Sequence, residues 1–165
     1  MTTDPETLRI RSYLQSQAAE KSVEDLIARV EEGMKELAEA ALAINPGART
    51  TVPRGETWSP EDCLRHATGS DIHCARQILH VACTGELPGG EEQAPAGTFE
   101  EMLASHREAL DSLYVHVREA GAGAFLDVKW EHPFFGELNW REWLLFLRIH
   151  AKDHARQLAA MAGSS

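Results

Sequence analysis

The stretch from residue 139 to residue 162, NWREWLLFLRIHAKDHARQLAAMA, predicts the last helix of the chain and the face that this helix buries. Asn139 and Glu142 have the spacing of a helix N-cap pair. From there one stripe of mainly apolar side chains continues at intervals of three and four residues, and it consists of Trp143, Leu147, His150, His154, Leu158 and Met161. Because these intervals follow the turn of an α-helix, we expect the stripe to face other helices.

Three further long helices with the same periodicity precede this one, and each follows a residue that favours a helix N-terminus. Their predicted starts are Ser22, Ser59 and Thr98, and their predicted ends are Asn45-Pro46-Gly47, about Cys83, and Gly121. A short leading helix is predicted within residues 1–20, from Asp4-Pro5-Glu6 to about Gln17. Residues 122–138 are predicted as short extended pieces, because they contain the least helical pattern of the chain.

Four apolar stripes that bury against each other predict an all-α four-helix bundle, with a short N-terminal helix added to it. The connections around residues 46–57, 85–97 and 122–138 are longer than usual in a bundle. They allow crossover connections and leave room for the entrance to a site. We interpret residues 1–165 as one domain, because a chain of this length builds a single core.

The charge of the chain argues against binding to nucleic acid or to anionic membranes. Its 165 residues include 16 Lys and Arg against 26 Asp and Glu, which gives a formal net charge of −10. The basic residues are scattered, whereas proteins that bind phosphates cluster them. The first residues lack the features of a signal peptide, and the three cysteines form no CxxC motif. We therefore expect a cytoplasmic protein with reduced thiols.

The histidine pair on the last helix is the strongest indication of chemistry. His150 and His154 lie one turn apart on an apolar face, so both imidazoles can reach one metal ion. The alternative is a pair of core histidines that are hydrogen-bonded to other groups. A metal needs a third ligand, and the helix after Ser59 offers His66, His73 and His80, of which His66 lies closest to the apolar stripe.

Other polar residues near this face have more ordinary interpretations. Gln157 and Asp71 are candidates for orienting the imidazoles through hydrogen bonds. Cys63 is best interpreted as a small buried hydrophobe, and His106 as a core histidine with a hydrogen-bond partner. His132 is interpreted as a structural element of its loop.

Aromatic residues concentrate around the start of the last helix. Such a cluster closes one end of a bundle or lines an apolar pocket beside a metal. Its members are Trp130, Phe134, Phe135, Trp140 and Trp143. Motifs of other enzyme classes are absent, since the chain contains no Glu-x-x-His, no His-Glu-x-x-His, no P-loop and no Gly-x-Ser-x-Gly.

Three segments together resemble the DinB-like superfamily. The opening Trp58-Ser59-Pro60-Glu61, followed by His66, is similar to the start of the second helix in that family. The C-terminal signature is matched by residues 132–139 (HPFFGELN), by residues 142–144 (EWL) and by the segment from His150 to Leu158 (HAKDHARQL).

The resemblance implies a four-helix bundle with a crossover connection and a divalent metal held by His66, His150 and His154. It implies a metal-dependent hydrolase, or a transferase that uses a low-molecular-weight thiol, with a small-molecule substrate and pairing as a homodimer. It identifies no catalytic residue beyond the ligands. Three imidazole nitrogens suit zinc, nickel or iron. A metal-binding bundle without turnover, and a metal-free interaction domain, remain the alternatives.

Overall fold

A computed structural model describes residues 4–163, and five α-helices contain most of them. The helices are α1 (Pro5–Glu20), α2 (Val23–Leu42), α3 (Pro60–Thr84), α4 (Phe99–Glu119) and α5 (Trp140–Gly163). A 3-10 turn at Pro46–Ala48 follows α2, and an antiparallel hairpin of β1 (Trp130–His132) and β2 (Gly136–Leu138) precedes α5. The prediction of an all-α bundle with short extended pieces before the last helix is confirmed.

Side-chain caps set the helix starts, as the sequence predicted. The Asp62 backbone N–H donates to the Ser59 side chain, while Asp62 accepts from the Ser59 backbone in return. Asn139 and Glu142 form the same reciprocal pair at the start of α5. The end of α3 is set by Gly85, whose φ of 76° is left-handed and favours glycine.

Helices α2, α5, α3 and α4 form the bundle, and each of the four packs against the next in this order, with α4 returning to α2. The chain therefore crosses the bundle between α2 and α3 and again between α4 and α5, which confirms the predicted crossover connections. Helix α1 packs against α5. It extends to Glu20, three residues beyond its predicted end, and buries Leu14 and Ala18.

Helices α2 and α5 form the most extensive helix–helix contact in the bundle. At Gly33 of α2, a Cβ would lie 3.0 Å from the backbone oxygen of Arg148, so a side chain here would push the two helices apart by a few tenths of an ångström. The basic residues of α5 that border this interface pair with acids of α2, Arg148 with Glu32 and Lys152 with Glu36. Within residues 4–163, no helix is both long and apolar enough to span a bilayer.

Candidate metal centre

The structure brings the three predicted site histidines together. His66 lies on α3, and His150 and His154 lie on the neighbouring helix α5. One ring nitrogen from each residue falls within 4.8 Å of the other two. The Nε2 atoms of His150 and His154 are 3.1 Å apart, and the His66 ring centroid lies 5.1 Å from that of His154. Residues 84 positions apart in sequence thus form one cluster.

His66 differs from the other two histidines in its exposure. Its side chain is exposed, whereas those of His150 and His154 are half-buried. The Trp58 ring, just before the cap of α3, lies 5.0 Å from the His66 ring. The cluster is therefore closed on its α5 side and open on its α3 side.

A buried carboxylate orients His150. Asp71 of α3 is fully buried, and its two oxygens accept hydrogen bonds from His150 Nδ1 at 2.9 Å and from His106 Nε2 at 2.7 Å. Burial alone would raise the pKa of Asp71, but the hydrogen bonds from His106 and His150 outweigh it and lower that pKa to about 2. Asp71 is therefore an ionised carboxylate that only accepts hydrogen bonds.

His154 is oriented in the same way by a neutral group. Its Nδ1 lies 3.0 Å from Oε1 of Gln157, one turn further along α5. Burial and the nearby His150 lower the pKa of His154. In contrast, burial would lower the pKa of His150, but Asp71 outweighs burial and raises it. The predicted orienting roles of Asp71 and Gln157 thus agree with the hydrogen bonds in the structure.

These hydrogen bonds point the remaining ring nitrogens of His150 and His154 at each other. Because Asp71 and Gln157 accept from Nδ1, the Nε2 atoms of His150 and His154 both present lone pairs, and these lone pairs face each other across 3.1 Å. A proton or a cation between them is needed for an attractive contact. Two nitrogens on one tetrahedral zinc ion lie about 3.3 Å apart, as follows from zinc–nitrogen bonds of about 2.0–2.1 Å. The donor set therefore fits a divalent metal.

Two thiols lie near the cluster, and neither is activated. Cys63 is buried, with its Sγ 3.8 Å from His154 Nδ1, and burial raises its pKa to about 12. Cys74 lines the adjoining cavity, and burial, with help from Asp71 and Glu92, raises its pKa to about 12 as well. Both remain protonated at neutral pH, which agrees with the interpretation of Cys63 as a small hydrophobe.

A cavity of about 550 Å³ adjoins the cluster. His66 and His150 line it, and aromatic rings of the hairpin and of α5 form much of the remaining wall. Of the predicted aromatic cluster, Trp130, Phe134, Phe135 and Trp143 line this cavity, whereas Trp140 is fully buried in the core. Phe146 also lines it and was missed by the sequence analysis, although its position four residues before His150 places it on the same face.

Two other histidines in this part of the molecule, His132 and His106, have structural partners. His132 is buried, and its Nδ1 accepts hydrogen bonds from the backbone N–H groups of Phe134 and Phe135. Burial, and to a smaller extent His150, lowers the pKa of His132 to about 4, so this ring is neutral. His106 is buried and bonded to Asp71. His73 lines the cavity but does not belong to the histidine cluster.

Comparison with known proteins supports the fold. No protein-family model matches the chain, and no curated protein matches it. Among solved structures, it is similar to the crystal structure of TT2238, which is described as a four-helix bundle protein. The two are 24% identical, with a TM-score of 0.60 over 84% of this chain and 99% of TT2238. At this level of identity the likeness shows that the chain has a four-helix bundle fold.

Proposed function

We propose that this chain is a DinB-like metal-dependent enzyme in which His66, His150 and His154 hold one divalent ion. The supporting observation is the pair of Nε2 lone pairs that face each other at 3.1 Å, with both Nδ1 atoms already bonded to acceptors. A metal ion satisfies both lone pairs at once, whereas a metal-free cluster needs a proton on one of the two rings. The proposed reaction is hydrolysis of a small molecule, or transfer of a low-molecular-weight thiol to it.

His66, His150 and His154 would hold the ion, which when bound would supply Lewis-acid activation of a water or a thiol. The chain itself supplies the geometry. Asp71 and Gln157 fix the tautomers and the ring planes of His150 and His154, and the exposed His66, which also lines the cavity, completes the set.

Neither the two thiols nor the buried carboxylate beside the histidines supplies the nucleophile. Cys63 and Cys74 are protonated thiols, and the carboxylate of Asp71 is already bonded to two imidazoles. None of these groups has the free lone pair and the exposure of an attacking residue. This supports a water or a soluble thiol as the nucleophile, which corresponds to the hydrolase and the transferase form of the proposal.

The cavity beside the histidines favours an enzyme over a protein that only stores metal. A storage or structural site closes its coordination shell with protein ligands. Here the third histidine is exposed and lines a cavity large enough for a small molecule.

The metal is tested by elemental analysis of untagged protein and by titration with Zn²⁺ against a chromophoric chelator. We expect one ion per chain. The His150→Ala, His154→Ala double variant is expected to lose at least about 1,000-fold in affinity, since two of three ligands are removed. His80→Ala, His116→Ala is the matched control, because it removes two histidines outside the cluster. Equal affinity in the double variant and the control would refute the metal site.

The reaction is tested on the metal-loaded protein. Ester and amide substrates report hydrolysis, and electrophiles supplied with several low-molecular-weight thiols report transfer. Turnover that requires the metal, and that disappears in the His150→Ala, His154→Ala variant, supports the enzyme. A loaded protein without turnover in either assay supports a metal-binding bundle that is not catalytic.

A further inference from the structure

His66 differs from the other two histidines of the cluster in what holds its ring. A hydrogen bond to Asp71 orients His150, and a hydrogen bond to Gln157 orients His154. Among the described residues, no group forms a hydrogen bond with the His66 ring, and this side chain is exposed. The contacts of the ring are with other rings instead. A hydrogen bond within the protein therefore does not set the orientation of the third proposed ligand.

The indole of Trp58 packs against the His66 ring. The two ring centroids are 5.0 Å apart, and the ring planes are inclined at 47°. Trp58 is itself one of the exposed large apolar residues of the chain, with 36% of its surface accessible. The two side chains also line one cavity of about 290 Å³. The contact between them thus lies at the surface of the bundle rather than in its core.

The start of α3 fixes the backbone on which Trp58 stands. Ser59, the next residue, is buried and forms the reciprocal cap described above. The Glu61 N–H donates to the backbone oxygen of Arg49 at 2.8 Å, which ties this turn to the loop after α2. Because seven residues make about two helical turns, His66 lies on the same face of α3 as Ser59. The indole and the imidazole are therefore held by one helix and its cap.

We propose that Trp58 is the positioning residue of His66, as Asp71 and Gln157 are for the other two rings. A histidine on an exposed helix surface loses rotamer freedom when it binds an ion. A ring that already packs against an indole has lost part of this freedom, so ion binding costs less. Unlike a hydrogen bond, this packing occupies neither ring nitrogen of His66.

The inference rests on the proposed function, since the position of His66 matters only if this residue binds the ion. It gives a role to the first residue of the segment Trp58-Ser59-Pro60-Glu61, of which Ser59 sets the helix start.

The Zn²⁺ affinity of Trp58 variants, measured for the full chain at pH 8 by competition with a chelator, tests the inference. Trp58→Leu keeps an apolar side chain but removes the ring. We expect it to bind about 3- to 10-fold more weakly, the range for one side chain that must be ordered on binding. Trp58→Phe keeps a ring and should restore most of the affinity. Phe125→Leu is the matched control, because it removes an exposed aromatic ring that lines neither cavity, and it should bind Zn²⁺ like wild type.

The same substitution in a His66→Ala background separates positioning from a general effect on the fold. If Trp58 acts through His66, Trp58→Leu has no ring to position in this background and leaves the affinity of the remaining pair unchanged. If the substitution acts by perturbing the start of α3, the loss recurs when His66 is absent. A chelator of lower affinity brings the weaker binding of these variants into range.

A third measurement needs no metal. In proton NMR spectra recorded with chelator present, the carbon-bound ring protons of His66 are assigned by their loss in His66→Ala. The ring current of the indole should displace these signals from their ordinary positions in wild type. In Trp58→Leu they should return to those positions, and in Phe125→Leu they should keep the wild-type displacement.

The two proposals fail in different ways. Wild-type affinity in Trp58→Leu, an equal loss in Phe125→Leu or in Trp58→Phe, or a loss that recurs with His66→Ala overturns the inference while the metal site stands. Undisplaced His66 signals in wild type also overturn it. If the wild-type chain binds no Zn²⁺, the proposed function fails, and the positioning role of Trp58 fails with it even where the NMR signals show that the two rings pack.

Discussion

His132 and His150 line the same cavity, and their Nδ1 atoms have opposite roles. His132 Nδ1 accepts two backbone N–H groups, so the proton of this neutral ring is on Nε2. His150 Nδ1 donates to Asp71, so the lone pair of that ring is on Nε2. Burial lowers the pKa of His132 to about 4, while the carboxylate raises the pKa of His150.

This difference shows that the partner of Nδ1 decides what a histidine can do. A ring that accepts from the backbone holds a loop in place, and its other nitrogen carries a hydrogen. A ring that donates to a carboxylate presents a lone pair that a metal can use. Residue type and exposure do not distinguish the two cases, because both rings are largely removed from solvent.

Of the variants that test the difference between His132 and His150, Asp71→Asn is expected to have the largest effect. An asparagine amide presents a donor as well as an acceptor, so its NH₂ group can reverse the tautomer of His150 and put a hydrogen on Nε2. We expect Zn²⁺ affinity to fall by about 10- to 100-fold. The free energy of unfolding should fall by about 1–3 kcal/mol, because the buried hydrogen bonds of residue 71 to His106 and His150 lose their charged acceptor. Metal titration and chemical denaturation measure the two effects.

His106→Leu is the control for that variant. It also removes one hydrogen bond of Asp71 but leaves the bond to His150 intact. Stability should fall here too, while Zn²⁺ affinity should stay within a few-fold of wild type. Equal losses of affinity in the two variants would mean that Asp71 acts through packing rather than through the tautomer of His150.

The local part of this arrangement could be predicted from the sequence. The helix starts follow from Ser59 and Asn139, whose capping partners lie three residues away. The pairing of His150 with His154 follows from the helical repeat, because residues four apart share a face. The orienting role of Gln157 follows in the same way, since it lies one turn beyond His154.

Periodicity indicates which residues of one helix face inward, but it does not determine which residues of two helices touch each other. The register of α3 placed Asp71 near the inner face, but it did not indicate that His106, 35 positions away on α4, shares the same carboxylate. That contact depends on how α3 and α4 pack. The exposure of His66 likewise depends on how α3 packs against the rest of the bundle, which no local pattern describes.

The pH dependence of stability is expected to identify His132 as the structural ring. Its pKa in the folded chain, about 4, is below its ordinary value of 6.5. The unfolded chain therefore binds the proton more readily between these values. The stabilisation is fully present above pH 6.5 and is lost as the pH falls through this window toward 4. The total is on the order of 2–3 kcal/mol for a shift of this size.

His132→Asn removes this titration but keeps an oxygen near the position of Nδ1, where it can accept from Phe134 and Phe135. Denaturation with chelator present, at intervals between pH 4 and 7, should give a flatter profile for this variant than for wild type. His80→Asn is a control outside the cavity and should keep the wild-type slope. A wild-type slope in His132→Asn would show that other groups cause the pH dependence.

The smallest effect is expected at Gln157, which bonds to His154 without charge. Gln157→Leu removes the acceptor from Nδ1, and Zn²⁺ affinity should fall by at most about tenfold. Gln157→Glu should restore it, because a carboxylate accepts the same hydrogen bond. Arg156→Leu, at the adjacent exposed position, should change neither the affinity nor, by more than about 0.5 kcal/mol, the stability. Recovery in Gln157→Glu separates orientation of the ring from packing, because leucine and glutamate both fill the site but only glutamate accepts from His154. Equal losses of Zn²⁺ affinity in Gln157→Leu and Gln157→Glu would show that Gln157 does not orient His154. The hydrogen bond from His150 to the Asp71 carboxylate would then be the feature that distinguishes the metal-binding rings from His132.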